Sequence, residues 1–240
     1  MLRGMGLKIN LGSGLNPVTG FVNVDVLPDA PGVDIVADIT ERLPFDDGEA
    51  DMLYASHILE HFSHAEVPRV LAEWRRVLRP GGQILVAVPD LAVIARMLLE
   101  ERRGWFTPPH NPWLGALYGG QKDDWDYHKG GFTDQWLAYS LAEADFGHMR
   151  RVKDFPEIGL QDSSASWQPF GVNVSMNMRA IAGRHEPAFA DHVTQTGAER
   201  AFDSLDSVLH RAMAVSSDLR SRVMRRRQKR IDALLRSDPG

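Results

Sequence analysis

Short β-type runs recur through the first 90 residues, separated by turns or by a helical stretch, and this rhythm constrains the fold more than any other feature. Parallel strands need crossovers between them, and the spacing supplies them. Leu7 to Leu11 reads as a first strand running straight into Gly12, Phe21 to Asp25 as a second, and Asp34 to Ala37 as a short third. Ala50 to Ser56 follows the Asp47-Gly48 turn as a fourth, and Gln83 to Val88 is an apolar fifth. Between the last two, Ala65 to Leu78 places Val67, Val70, Leu71, Trp74, Val77 and Leu78 on one helical stripe. Arg79-Pro80-Gly81-Gly82 ends that helix, and another starts near Leu91.

Later, Val172, Val174, Met176, Met178 and Ala180 alternate with Asn173, Ser175, Asn177 and Arg179, which predicts an antiparallel strand with one wet face. Paired with a strand near Met149 to Asp154, it closes a mostly parallel sheet with a late hairpin. From Ala198 to Arg236 there is neither glycine nor proline, and Phe202, Leu205, Leu209, Ala212, Leu219 and Val223 fall at steps of three, four, three, seven and four residues. That predicts a long helix with a seam, packed on its own domain or pairing two copies in a homodimer. The expected domains are residues 1–183, with an aromatic-rich insertion at 101–132, and a helical extension over 184–240.

The chain has no cysteine, which removes disulfides, zinc-thiolate sites and thiol nucleophiles together. Catalysis must then use oxygen, nitrogen or a cofactor. The start holds no apolar run long enough for a signal peptide, and nowhere do eighteen apolar residues run together, so a soluble, cytoplasmic protein is expected. Residues 220–230 carry seven positive charges and no negative one within a chain of net charge −5, so the main body is acidic. An acidic body speaks against nucleic acid as a partner; the basic tail is a solvated helix face or a peripheral contact with anionic membrane or phosphate.

The sharpest local signal is Asn10-Leu11-Gly12-Ser13-Gly14, where the first strand ends. At the carboxyl edge of a parallel sheet, glycines let the backbone approach a ligand that a β-carbon would repel. A dinucleotide fingerprint needs a third glycine where this chain has Pro17, preceded by Asn16 as a helix cap, so a pyrophosphate and an NAD-dependent oxidoreductase are poorly served. Asp25 closes the second strand, where a carboxylate accepts bonds from two ribose hydroxyls. Asp38 ends the third, placed for an adenine amine with Ile39 against the ring. One nucleoside with a small charged tail fits better than a dinucleotide. Only eleven positions separate Gly14 from Asp25, so the first helix is a turn or two at most.

In order and spacing, LGSG, VNVD, ADITERLPFDDGEADMLYASHILEH and LRPGG resemble the class I S-adenosylmethionine-dependent methyltransferases, particularly the type 11 branch, over residues 7–90. YGGQ and HKGGF resemble a subgroup of predicted methyltransferases associated with surface-polysaccharide genes. The fold expected is α/β: a Rossmann-like, doubly wound, mostly parallel seven-stranded sheet with one antiparallel strand, plus the long C-terminal helix. The resemblance implies S-adenosyl-L-methionine as cofactor, with Gly12, Ser13 and Gly14 lining its methionine portion, Asp25 and the adjacent Val26 its ribose, and Asp38 with Ile39 its adenine. Ser56 and His57 would border the sulfonium and the substrate.

His57, His61 and His64 lie at steps of four and three, a spacing that can collect a metal. No acidic ligand has an obvious place, so no metal is expected and His57 reads as a wall of the active site. The insertion holds Trp105, Phe106, Trp113, Tyr118, Trp125, Tyr127 and Phe132, either a small satellite core or a wall that stacks on sugar faces. Within it Asp126, His128 and Lys129 offer acid-base chemistry, with His128 the first candidate base and His57 the second. The function expected is O-methylation of a saccharide hydroxyl in a surface glycan or related metabolite. A non-catalytic, cofactor-sensing scaffold and a methyltransferase acting on a non-sugar small molecule, at oxygen or nitrogen, stay open as alternatives.

Overall fold

The structure is a computed structural model that describes residues 6–99, 112–165 and 174–183, all within one unit, Met1–Val193. Seven strands form one sheet: β1 (Leu7–Leu11), β2 (Val22–Asp25), β3 (Ile35–Val36), β4 (Ala50–Ser56), β5 (Leu78–Pro89), β6 (Phe146–Val152) and β7 (Ser175–Ala182). Their order is β3-β2-β1-β4-β5-β7-β6, and β7 alone runs antiparallel to its neighbours. Among the described residues four α-helices accompany it: α1 (Val67–Val77), α2 (Leu91–Leu99), α3 (Pro112–Tyr118) and α4 (Asp134–Glu143). The mostly parallel sheet with one antiparallel strand is the one expected. The predicted helix over 198–236 and the basic tail lie outside the described residues. No helix among the described residues is long and apolar enough to cross a membrane.

α1 forms where the stripe predicts it and buries Val67, Val70, Leu71, Trp74 and Val77 against the sheet, each burial worth roughly 1.5–3 kcal/mol. It stops at Leu78, whose backbone is extended, because Pro80 has no N–H to continue the ladder. The strand assigned from Leu78 pairs once with Ala50 and then resumes at Gln83 opposite Met52, so the Arg79–Gly82 turn bulges out of β5. β4 and β5 are buried on both faces, alternate residues entering two clusters. The larger cluster takes Leu53, Ile84, Val86 and α1; the smaller takes Met52, Tyr54, Leu85 and Ala87 with Phe155 and Ile158.

Three expectations need correction. No helix follows Gly12: the β1–β2 connection is irregular, so Asn16 caps nothing. Its work is done by a buried amide pair. Asn10 Nδ2 donates to Asn23 Oδ1 (2.9 Å) and to the Asn16 carbonyl (3.2 Å), while Asn23 Oδ1 also accepts from Val18 N (2.7 Å). β3 shrinks to two residues because Asp34 Oδ2 takes the Asn23 N–H at 2.8 Å in place of a strand carbonyl. β7 has no wet face: Ser175 is 4% exposed and Asn177 1%. It lies between β5 and β6, and the Ser175 and Asn177 side chains are satisfied internally.

Candidate functional site

The carboxyl ends of β1, β2, β3, β4 and β5 share one edge, and the strand order reverses between β1 and β4, where open α/β sheets place ligands. Gly12 and Gly14 both turn the backbone left-handed, at φ +63° and +51°. They do so for different reasons. A β-carbon on Gly12 would stand 2.3 Å from Ile58 Cδ1, whereas one on Gly14 would meet nothing within 4 Å. Gly12 therefore makes room for the protein and Gly14 opens onto the cleft. Ser13, 3% exposed, has a buried Oγ with no hydrogen-bond partner among the described residues.

Asp25 is held at the end of β2 by its own loops: Oδ2 accepts Gly14 N at 2.7 Å and Oδ1 accepts Leu27 N at 2.9 Å. Each oxygen keeps a second lone pair, so the carboxylate is oriented yet still able to accept two hydroxyls. Val26 beside it is half-buried. Asp38 Oδ1 accepts both the N–H and the hydroxyl of Thr40, at 2.8 and 2.7 Å. Ile39 is 9% exposed and belongs to the larger core. An unpartnered Ser13 hydroxyl, an open position over Gly14 and two aimed carboxylates fit an adenosine bearing an amino-acid tail.

At the end of β4, Ser56 Oγ accepts from Ser163 Oγ at 2.8 Å, and His57 adopts φ +56°, a strained value for a residue with a β-carbon. The His57 N–H is anchored to the Ala87 carbonyl at 2.8 Å. Its ring spans two elements: Nδ1 lies 3.2 Å from Glu60 Oε1 and Nε2 3.1 Å from Ser175 Oγ. Ser175 in turn donates to Asn177 Oδ1 at 2.9 Å. Behind Ser56, burial pushes the Tyr54 hydroxyl up to about 12, so it stays a neutral donor to Asp162.

The insertion returns to this same place. The N–H groups of Lys129 and Gly130 donate to the Glu60 carbonyl at 2.9 and 3.0 Å, and Phe132 bridges to Asp90 at the end of β5. Its glycines serve packing: a β-carbon on Gly130 would stand 2.9 Å from the Phe62 carbonyl oxygen, and one on Gly119 2.2 Å from that of Asp126. His128 Nδ1 lies 3.0 Å from the Ala116 carbonyl, which can only accept, so Nδ1 carries the proton and Nε2 the lone pair. That Nε2 is 3.9 Å from Glu60 Oε1, so His57 and His128, 71 positions apart, converge on one carboxylate. Burial drives the His128 ring below its usual range, the Glu60 charge opposing this in part. For Glu60, 1% exposed, burial acts to raise the carboxyl, but the His57 hydrogen bond and the charges of His57, His128 and His61 outweigh it and hold the group below its usual range.

Other candidates fall elsewhere. Asp126 accepts from Gly120 N and Lys122 N and holds a turn, and Lys129 is exposed. His64 leaves the other histidines and accepts from Trp136 Nε1 at 3.3 Å, beside a cavity of about 180 Å³ between α1 and α4. Phe132 is core, while Tyr118, Trp125 and Tyr127 are exposed. Trp105, Phe106 and the Trp113 side chain lie outside the described residues. Glu60 and Ser175 were not singled out by sequence as site residues, and His61 only as one of the three histidines at steps of four and three. For Glu60 the available signal was its place one turn after a strand end, inside an otherwise apolar Ile58-Leu59 approach.

A mostly parallel α/β sheet whose strand order reverses between β1 and β4, with Gly14, Asp25 and His57 gathered at that edge, has the architecture of a Rossmann-like domain. Residues 22–86 match the methyltransferase domain family, and the cofactor of such a domain is S-adenosylmethionine. The match includes Asp25, Asp38, Ser56, His57 and Glu60; the Gly12–Gly14 turn precedes it. The chain is 33% identical over 87 residues to the ubiquinone/menaquinone biosynthesis C-methyltransferase UbiE of Bordetella avium, covering 36% of this chain and 32% of that one. It is 48% identical over 58 residues to the phthiotriol/phenolphthiotriol dimycocerosates methyltransferase 1 of Mycobacterium ulcerans, covering 23% and 20%. It thus spans about a third or less of the length of those two relatives. Among solved structures, the S-adenosylmethionine dependent methyltransferase of Mesorhizobium loti is similar at 18% identity and a TM-score of 0.46, over 73% of this chain and 90% of that one.

Proposed function

We propose that the protein moves the methyl group of S-adenosylmethionine to an oxygen, a saccharide hydroxyl in surface-glycan or related metabolite biosynthesis. One observation carries the reading: His57 and His128 meet on the buried carboxylate of Glu60 at the end of β4, on the sheet edge that also carries Gly14 and Asp25. The cofactor, when bound, supplies a methyl group already activated by its sulfonium. Gly12, Ser13 and Gly14 line its methionine end, Asp25 with Val26 holds the ribose, and Asp38 with Ile39 the adenine. Ser56 and His57 wall the reacting end.

A hydroxyl that gains a methyl group must give up its proton. His128 Nε2 carries the lone pair for it, since Nδ1 is committed to Ala116 and burial favours the neutral ring. A placed base of this kind is worth about 10²- to 10⁴-fold. His57 holds the neighbouring wall through Glu60 and Ser175. The exposed rings of Tyr118, Trp125 and Tyr127 suit the apolar faces of a sugar.

The test is incubation with methyl-labelled S-adenosylmethionine and cell-envelope extract, followed by mass spectrometry. Label on a saccharide oxygen is expected; label only on carbon, nitrogen or a non-sugar metabolite overturns the acceptor. Intact turnover in His128→Gln overturns the base.

A further inference from the structure

We propose that Glu60, His61 and His128 form a binding site for one divalent transition-metal ion of the zinc, cobalt or nickel type. Three residues from two segments bring one potential ligand atom each to within 4.8 Å of one another: a carboxylate oxygen and two imidazole nitrogens. The rings of His61 and His128 stand edge to face at 4.8 Å between centroids. An ion with bonds of about 2.0–2.1 Å in tetrahedral geometry needs donor atoms about 3.3 Å apart, a closure that side-chain torsions can make.

Two unsatisfied atoms point to a missing partner. Glu60 Oε2 and His61 Nδ1 are both buried with no hydrogen bond among the described residues. A buried carboxylate oxygen without a donor costs free energy that a cation would recover. His128 is arranged as metal-bound histidines are: Nδ1–H is fixed on the Ala116 carbonyl, which sets the tautomer and directs the lone pair of Nε2. His57 takes the other side of the Glu60 carboxylate through Nδ1 and so orients it as a neighbouring residue. The sequence reading set a metal aside for want of an acidic ligand, and for grouping His57, His61 and His64. The fold replaces His64 with His128 and supplies Glu60.

Two imidazoles and one carboxylate favour zinc-class ions over magnesium or calcium, and three protein ligands leave a position open. The ion takes the Nε2 lone pair that the methyl-transfer reading assigns to the hydroxyl's proton, so with metal bound His128 is a ligand and not the base. Binding itself does not depend on that reading.

The full chain, dialysed against EDTA, is titrated with Co²⁺ by calorimetry and by visible absorption, and its melting temperature is followed with Co²⁺, Zn²⁺ and Mg²⁺. One Co²⁺ per chain, a d–d band, and a melting temperature raised by Co²⁺ and Zn²⁺ but not by Mg²⁺ are expected. Glu60→Gln and His128→Ala should each weaken Co²⁺ by more than tenfold, while His64→Ala binds as the wild type does. No binding and no melting shift in the wild type overturns the site, a result that needs no variant to fold. Unchanged Co²⁺ affinity in both ligand variants also overturns it. Methyl transfer by a chain that binds no Co²⁺ overturns the metal site and leaves the transferase; bound Co²⁺ without methyl transfer to any acceptor does the reverse.

Discussion

Removing the Asp25 carboxylate separates a structural acid from a cofactor-binding one. In the folded chain it accepts two backbone N–H groups, from Gly14 at 2.7 Å and Leu27 at 2.9 Å, and it is 6% exposed. Hydrogen bonds to a charged acceptor are worth about 1.5–3 kcal/mol each, and the loop is shallow enough for water to replace part of the loss. Asp25→Ala should therefore cost the ligand-free protein about 2–4 kcal/mol. On top of that, losing the ribose acceptor should weaken S-adenosylhomocysteine by at least about 1.5 kcal/mol, roughly tenfold. Asp25→Asn keeps one acceptor oxygen, so it should lose less stability while still losing affinity. Urea unfolding gives the first quantity and isothermal titration below the melting temperature the second. A folded Asp25→Ala chain that binds S-adenosylhomocysteine as tightly as the wild type would refute the assignment, because every accepting lone pair of that carboxylate would be gone.

The two glycines of the β1 turn should respond differently to alanine. Gly12→Ala combines a positive φ with a β-carbon 2.3 Å from Ile58 Cδ1, so it should unfold at markedly lower urea; Gly14→Ala has open space, so it should cost only the left-handed strain of about 1–2 kcal/mol while losing most of the cofactor affinity. Equal losses of stability in the two, measured by urea melts, would count against this reading. Glu73 accepts from Leu43 N, Arg76 Nη2 and Arg76 Nε at 2.8, 2.6 and 2.8 Å. Burial acts to raise its carboxyl, but the Arg76 fork and the Leu43 N–H outweigh that and hold it below the usual range. A folded-state pKa below the unfolded value of about 4.3 stabilises fully above that pH and loses its effect as pH falls through the folded value. Glu73→Gln should thus cost about 1–3 kcal/mol at pH 7 and progressively less below about pH 4; a gap of the same size at pH 3 would speak against it.

The strands were legible from short β-type runs bounded by turn residues: β1 and β4 lie where Leu7–Leu11 and Ala50–Ser56 were read, and α1 within a residue or two of its stripe. What escaped the sequence is where polarity is internal. Ser175 and Asn177 alternate with apolar neighbours as a wet face would, yet both are buried, because alternation reports chemistry and not which surface covers it. Asn10 and Asn23 likewise look like loop-edge residues and form the amide pair beneath the β1 turn. Gly14, Asp25 and Asp38 could be placed on one edge because each lies at or a few residues past a strand end, and the strand ends of a parallel sheet share an edge. That His128 approaches Glu60 could not be read, since they are 68 positions apart and α1, β5, α2 and α3 lie between them.

The missing helix between β1 and β2 explains why a distant loop matters to the site. A parallel crossover has to cover one sheet face, and ten residues without a helix cannot do it alone. Val18 and Phe21 share that face with Phe155 and Ile158, which follow β6. Gln161 then ties the two segments in both directions, its Oε1 accepting Thr19 N at 3.0 Å and its Nε2 donating to the Pro17 carbonyl at 3.0 Å. The next residue, Asp162, accepts from the Tyr54 hydroxyl, Phe155 N and Ser164, and Ser163 reaches Ser56. The segment that stands in for the helix therefore touches the flank of the cofactor turn with one residue and the substrate end of β4 with the two that follow. Its contacts combine the apolar burial of Phe155 and Ile158 with hydrogen bonds to fixed partners, and the hydrogen bonds set the register between the two segments. An apolar helix packed by area alone would tolerate sliding; a chain of amide, carboxylate and hydroxyl groups, each with one satisfactory position, does not.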